Sequence, residues 1–469
     1  RAGARLCFNA AMTVHPPLEV VVLAAGKGTR MRSDLPKVLH TLAGRPLLAH
    51  VLDTVHALGA RAVHVVYGHG GERVPQAFPD AGAQWVLQDQ QLGTGHAVSA
   101  AMPGVPDEAT VLVVYGDVPL IRVGTLRALV GAAENAPLAL LTVELDEPAA
   151  YGRIVREQDE VSRIVEYKDA DEAIRAIREI NTGFLAARAG NLRRWLAKLD
   201  ANNAQGEFYL TDVVALAVAE GISVATENPA TVSEIEGINS KVELARLERQ
   251  YQMNKAQELM EQGVILRDPA RFDLRGELVA GRDVVIDVNV ILEGKVELGD
   301  GVHIGPNSIV RDSVIEAGSQ VLANCVIEES RIGAGCSVGP FARLRPGAEL
   351  ADRAKAGNFV EIKNSQIAEG SKINHLTYIG DTTMGSGVNI GAGTITANYD
   401  GANKHRTVIG DNASIGANSV LIAPVTVGAG ATLGAGTMLR KDAPEGTLTI
   451  SEIRQKTIEG WKRPVKNKP

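Results

Sequence analysis

Two hydrophobic patterns follow one another along this 469-residue chain. Up to about residue 240, short β-branched runs alternate with helical patterns. VVVLAA (20–25), VHVVYG (63–68), VLVVYGD (111–117) and LALLTVEL (138–145) read as strands. HVLDTVHALGA (50–60) and TLRALVGAAE (125–134) read as helices. Alternation of this kind predicts a mostly parallel sheet covered on both faces, with ligands at the carboxyl ends of its strands. From Lys241 to about Gln262 one amphipathic stretch carries Val242, Leu244, Leu247, Tyr251 and Leu259 as an irregular apolar stripe. It predicts a helix that links the two halves and packs on a neighbour.

After residue 280 the period becomes six. Ile409, Ile415, Leu421, Val427 and Leu433 stand six apart, each followed four residues later by a small or β-branched residue (Ala413, Ser419, Val425, Ala431, Thr437). Ile286, Leu292, Leu298 and Ile304 repeat the pattern, as do Ile332, Val338, Leu344 and Leu350. A hexapeptide period is the signature of a parallel β-helix, with the aliphatic residue inward and coils stacked about 4.8 Å apart. Between Ile390 and Ile409 the register slips, and TANYDGANKHR (396–406) reads as a loop thrown to the outside. The chain thus divides into an N-terminal extension (1–12), an α/β domain (13–240), a linker helix (241–263), a solenoid (264–450) and a basic tail (451–469). Met12 reads as the start of translation, with the residues before it as an upstream extension.

Composition narrows the function. The net charge of −7 argues against bulk nucleic-acid binding. Three cysteines (Cys7, Cys325, Cys336) without a C-x-x-C argue against a disulfide framework or a zinc site and favour a reducing cytosol. No apolar run approaches membrane-spanning length. Aromatics are only 4% while glycines number 49, which fits an architecture built from small residues.

Candidate chemistry begins at LAAGKGTRM (23–31). A Walker A loop needs a different spacing, and a dinucleotide fingerprint fails at Met31. Two readings remain: a plain strand-to-helix turn, or a nucleoside-triphosphate grip. In the grip, Gly26 and Gly28 admit backbone N–H groups to phosphates, with Arg30 and the downstream Lys37 adding charge. The second concentration of polar residues lies in the solenoid from Arg343 to Lys404. It includes Arg345, Lys363, His375, Tyr378, Asn389, Asn398 and Tyr399. Basic groups on a β-helix face suit a phosphorylated sugar, although a lone histidine is more often structural.

The loop L-x-x-G-x-G-T-R-M with its downstream P-K resembles the sugar-phosphate nucleotidyltransferases, or pyrophosphorylases. The resemblance continues through QLGTGHA (91–97), YGDVPL (115–120), EYKDA (166–170), INTG (180–183) and EGIN (236–239). With the hexapeptide half attached, residues from about 13 to 465 resemble the bacterial bifunctional GlmU family. That family joins an N-acetylglucosamine-1-phosphate uridylyltransferase to a glucosamine-1-phosphate acetyltransferase. The resemblance implies a Rossmann-like α/β nucleotidyltransferase followed by a left-handed β-helix, in a cytoplasmic homotrimer. Its product, UDP-N-acetylglucosamine, is a precursor of peptidoglycan and lipopolysaccharide.

For the first reaction the resemblance assigns Mg²⁺ to Asp117 and Asn239, and phosphate oxygens to Lys37 and Arg30. It places Leu23, Ala24, Ala25 and Gly26 against UTP, and has Gln88, Gly93 and Thr94 read uracil. Tyr115, Gly116, Gly152, Glu166 and Asn181 belong to the sugar-nucleotide site. For the second reaction it makes His375 the base that accepts a proton from the glucosamine amine. Arg345 and Lys363 then hold the sugar phosphate, and Tyr378 and Asn389 its hydroxyls. Lys404 reaches over a neighbouring subunit. Ala392, Asn398, Tyr399, Ala417, Ala435 and Arg454 meet acetyl-coenzyme A.

Two departures stand out. Ala417 replaces a common serine. ISEIRQ (450–455) replaces I-S-R, so that Glu452 stands where a base is expected near coenzyme phosphates. Either Arg454 substitutes, or the tail bases (Lys462, Arg463, Lys466, Lys468) compensate, or coenzyme binding is weaker; the tail reads equally as a solvated end. Rival readings are a pyrophosphorylase for another sugar with a regulatory solenoid, and a solenoid that serves only as a trimerisation scaffold.

Overall fold

The computed structural model describes residues 16–68, 70–452 and 455–464. Two compact units divide at Tyr251/Gln252. The first is an α/β unit whose main sheet runs in the order Val224–Glu227, Leu138–Glu144, Glu179–Arg188, Thr110–Tyr115, Leu18–Leu23, Ala62–Tyr67 and Gln84–Leu87. Only Glu179–Arg188 runs antiparallel to its neighbours in that path. A hairpin of Arg153–Glu157 and Glu160–Val165 joins it off the main path. The VVVL run explains the layering. Val20 and Val22 enter the core on one face of the sheet, Val21 and Leu23 the core on the other. A strand covered on both faces is therefore apolar throughout. Helices Leu47–His56 and Val123–Asn135 bear out the predicted elements.

Helix Lys241–Glu261 spans the unit boundary. Leu247 is buried in the first unit, with Leu244 and Tyr251 packed beside it, whereas Ala256 and Leu259 belong to the core of the second. Val242 departs from the expected stripe. It is 79% exposed, because the 3.6-residue turn puts it on the opposite side of the helix from Leu244, Leu247 and Tyr251.

The second unit is a left-handed parallel β-helix. Every aliphatic residue of the three hexapeptide series is buried at 3% exposure or less, and the following small positions are buried with them. Most coils contain 18 residues (Val285 pairs with His303) or 17 (Lys355 pairs with Lys372). The shorter coils have one five-residue face. The inward series runs Val310–Ile315, Ile327–Ile332, Ile362–Ile367 and Ile379–Met384 across these faces. Left-handed residues Asp312, Glu329, Asn364 and Asp381 make the tight corner within each.

The external loop is shorter than the sequence pattern implies. Thr396 and Asn398 are buried, and strand Ile395–Ala397 remains in its coil. Thr396 takes an inward position usually aliphatic, and its hydroxyl accepts the Gly380 N–H at 2.8 Å. Only from Tyr399 does the chain leave the solenoid, returning at Thr407.

The first coil has an open side. Among the described residues, strand Phe272–Ala280 pairs only with strand Val290–Leu298. There the fully buried Gln252 of the long helix mimics a strand. Its Nε2 donates to Leu274 O at 3.0 Å and its Oε1 accepts Leu274 N–H at 2.8 Å. Gln252→Leu should lower the stability of the second unit by roughly 1–3 kcal/mol for each backbone group left unpaired, read as a lower urea midpoint by circular dichroism.

Candidate active sites

In the first unit the strands Leu18–Leu23 and Thr110–Tyr115 are paired in register, and their carboxyl ends open into a cleft with two lobes. Each lobe measures about 480 Å³. Leu23, Ala24, Ala25, Gly26, Gln88, Gly93 and Thr94 line one lobe, together with Lys37. Gly152, Glu166, Asn181 and Arg30 line the other. Tyr115, Asp117 and Asn239 border both. Gly116 stands behind this surface, buried, with its N–H bonded to Leu23 O at 2.9 Å.

The junction carries the strongest electrostatic feature. The Lys37 ammonium is ion-paired with Asp117 and donates to Asn239 Oδ1 at 2.8 Å. Asn239 Nδ2 is tied back to Gly237 O at 3.3 Å, which turns its oxygen toward the lysine. Two hard oxygens thus converge on one cation. That donor set fits Mg²⁺, which takes few protein ligands and keeps several waters. No group of three or more His, Cys, Asp or Glu suited to a metal occurs among the described residues, so completion of the shell falls to water and substrate.

Gly28 makes the approach of Lys37 possible. It lies in the left-handed region (φ 58°), and a Cβ there would stand 2.8 Å from Lys37 Cβ. At Gly26 an added Cβ would meet nothing within 4 Å, so this part of the loop faces the open lobe.

On the other side, burial is the largest influence on Glu166 and holds its carboxyl above the usual range. The Thr211 hydroxyl, 3.2 Å away, opposes the shift, while Asp212 and Asp169 add to it. Burial likewise raises the Tyr115 phenol, with Glu166 and Asp117 contributing, so it remains a neutral donor. Gln88 Nε2 is committed to Gly93 O (3.1 Å) and the His96 ring (3.0 Å), and Thr94 Oγ1 accepts Leu210 N–H (3.1 Å). The cleft also contains groups to which the sequence reading gave no role: Lys27, Gln91 and Glu207 in the first lobe, and Tyr151, Glu236 and Arg246 in the second. Glu236 lies within the EGIN motif, and Arg246 pairs with it at 2.8 Å.

In the second unit Arg345, Lys363 and Lys404 form one basic cluster. Lys404 is the foremost cause holding the Lys363 ammonium below the lysine range; burial and Arg345 add to it, and Asp381 opposes. This contact lies within one chain. Glu361 steadies Arg345 at 2.8 Å. His375 is exposed at the end of strand Lys372–His375, and Tyr378 begins the next strand. Asn398 donates to Asp381 and approaches Tyr378 Oη at 3.4 Å. Asn389 lies in register with Lys372, three residues before His375.

Ala392, Ala417 and Ala435 belong to successive coils. Asn418 N–H donates to Ala392 O, and Gly436 N–H to Ala417 O, both at 2.7 Å. Tyr399 is 60% exposed, and Glu452 is exposed. Arg454, Lys466 and Lys468 lie outside the described residues.

Comparison with known proteins accords with the two folds. Residues 20–182 match the MobA-like NTP transferase domain, and residues 406–441 match the bacterial transferase hexapeptide (six repeats). Among solved structures, a UDP-glucose pyrophosphorylase complexed with UDP-glucose aligns at 16% identity and a TM-score of 0.42. The alignment covers 50% of this chain and 98% of that one. A nucleotidyl transferase from Methanothermobacter thermautotroptrophicus aligns at 20% identity and a TM-score of 0.37, over 50% and 97%. The chain therefore carries a nucleotidyltransferase domain and transferase-type hexapeptide repeats.

A carboxyl raised on folding weighs against the fold once it ionises. That cost is absent below the ordinary carboxyl range, near pH 4, and complete above the folded pKa. Glu166→Gln should therefore raise the melting temperature at pH 7–8, and the gain should vanish toward pH 4 in calorimetric scans. Gly28→Ala should displace Lys37 and lower nucleotidyl transfer by about tenfold or more, measured as pyrophosphate release.

Proposed function

We propose that this chain is a bifunctional enzyme of the GlmU type. Its β-helix acetylates glucosamine 1-phosphate from acetyl-coenzyme A. Its α/β unit then couples N-acetylglucosamine 1-phosphate to UTP, giving UDP-N-acetylglucosamine and pyrophosphate. The observation that carries the reading is the Lys37–Asp117–Asn239 cluster at the junction of two lobes of about 480 Å³ each.

Both substrates of the uridylyl step are anions, so charge must be neutralised before a sugar-phosphate oxygen can reach the α-phosphorus. Asp117 and Asn239 would hold Mg²⁺, which supplies charge neutralisation and orientation of the phosphates. Lys37 on one lobe and Arg30 on the other would bind phosphate oxygens from either side. The Leu23–Gly26 backbone, Gln88, Gly93 and Thr94 would seat the nucleoside. Gly152, Asn181, Tyr115 and Glu166 would hold the sugar. An ionised phosphate monoester needs no base, and none is assigned.

In the acetyl step the amine must be neutral to attack the thioester carbon. His375 would take the proton as the C–N bond forms, and coenzyme A would leave as the thiol. Arg345, Lys363 and Lys404 would bind the sugar phosphate, whose charge relieves the crowding of the two lysines. Tyr378 and Asn389 would meet its hydroxyls. The Ala392, Ala417 and Ala435 positions, with Asn398, Tyr399 and Arg454, would meet the coenzyme. Direct transfer is favoured over an acyl-enzyme, because burial holds the Cys325 and Cys336 thiols above their ordinary range. A cytoplasmic homotrimer suits this reading. The stacked Phe341 and Phe359 rings, 50% and 54% exposed, offer apolar surface for a second copy. Among the described residues no helix is long and apolar enough to cross a membrane.

Thiol release from acetyl-coenzyme A, with glucosamine 1-phosphate as acceptor and UTP omitted, tests the second activity. His375→Ala should lower it by about 10²- to 10⁴-fold and leave uridylyl transfer intact. Lys37→Ala should do the reverse, with a loss of about 10²-fold or more. Absence of thiol release in the parent chain would reduce the β-helix to a scaffold. Loss of both activities from either variant would undo the two-site reading.

A further inference from the structure

Resting on the reading of His375 as the acetyl-transfer base, we propose that Asn358 is a positioning residue that selects the base-competent tautomer of His375. Strands Lys355–Asn358 and Lys372–His375 are paired in parallel, with Asn358 opposite His375. Coil stacking at about 4.8 Å sets paired side chains one above the other. Asn358 Oδ1 lies 2.6 Å from His375 Nδ1. An amide oxygen only accepts, so Nδ1 carries the proton and Nε2 keeps its lone pair. On this exposed histidine the accepting nitrogen is then the far atom of the ring.

The backbone holds the pair in place. Leu376 N–H donates to Asn358 O at 3.0 Å, and the Thr377 hydroxyl donates to His375 O at 2.7 Å. The residues that follow the pair, Phe359 and Leu376, are both left-handed (φ 56° and 50°). Bulky side chains rarely adopt that conformation and pay for it in strain. Along the same corner Phe341 is left-handed too (φ 58°), while other coils place Asn289, Asn307, Asn324, Asn418, Gly393 or Gly436, types that tolerate it. The Phe359 ring stacks on Phe341 at 5.2 Å, which fixes the strained turn next to Asn358. Two successive coils therefore turn sharply just after the two residues, and neither side chain is free to drift from its partner.

The choice of an amide has a chemical consequence. A carboxylate at this place would fix the same tautomer but stabilise the imidazolium, so the base would give up its proton less readily. Asparagine orients the ring without adding charge.

The test uses the full-length chain and the pH dependence of thiol release. Asn358→Leu should lower kcat by about 10- to 100-fold, part of what a general base contributes, with the KM for both substrates within about twofold of the parent. Asn358→Asp should recover kcat at alkaline pH and move the acid limb of the profile upward by about one pH unit. Titration with acetyl-coenzyme A alone shows whether the coils remain stacked in each variant. If both variants keep the parental kcat and profile while His375→Ala abolishes release, the positioning role is overturned and the acetyl-transfer reading stands. A lower kcat in Asn358→Asp with an unmoved acid limb would also overturn it, since a merely structural contact gives that result. If His375→Ala leaves release intact, the underlying reading fails, and the positioning role with it.

Discussion

In-register parallel hydrogen bonding is the constraint on which both units depend. In the β-helix each coil is bonded residue by residue to the one before it, so a side chain's neighbours are decided about 17 or 18 residues away. Glu361 comes to lie under Tyr378, and Lys363 under Gly380. In the α/β unit the same rule aligns Leu23 with Tyr115 and with Val66, which brings the glycine loop and Asp117 to one rim. Neither arrangement needs the functional residues to attract one another. The backbone ladder delivers them, and side-chain chemistry only adjusts the final geometry.

That adjustment is electrostatic in both units. The cleft of the first unit buries acid groups. Glu166 and Asp117 both bear on the Tyr115 phenol, and Lys37 is the cation that relieves Asp117. The β-helix instead crowds Lys363, Lys404 and Arg345, with Asp381 as the nearby counter-charge. In the cleft the acids stand among bases, Lys27, Lys37, Arg30 and Arg246, whereas the β-helix cluster is mainly basic.

Much of this was legible from patterning. The β-branched runs and the six-residue period require only that apolar faces be buried, and burial is what periodicity reports. The glycine loop and YGD were visible because they follow apolar runs that read as strands, and EGIN through the family resemblance. The exceptions have physical causes. A strict six-residue reading breaks at Val310–Ile315 and at each later five-residue face, where a left-handed corner removes one residue. Thr396 hid a coil because a hydroxyl satisfied by backbone fills an inward place as well as an aliphatic group does. Tyr151 and Arg246 escaped notice because only tertiary folding brings a loop and a helix to the same lobe. Asn358 was invisible for a related reason: its importance depends on the residue one coil above.

Gln252 illustrates what an unfinished ladder demands. Its amide presents one donor and one acceptor to Leu274, as another strand would, yet a single side chain cannot extend further. The β-helix is a stack with an open first rung, and a rung of that kind is a template for any chain that can add to it. The long helix meets that rung with the Gln252 amide, so the first coil begins against a side chain where every later coil begins against backbone.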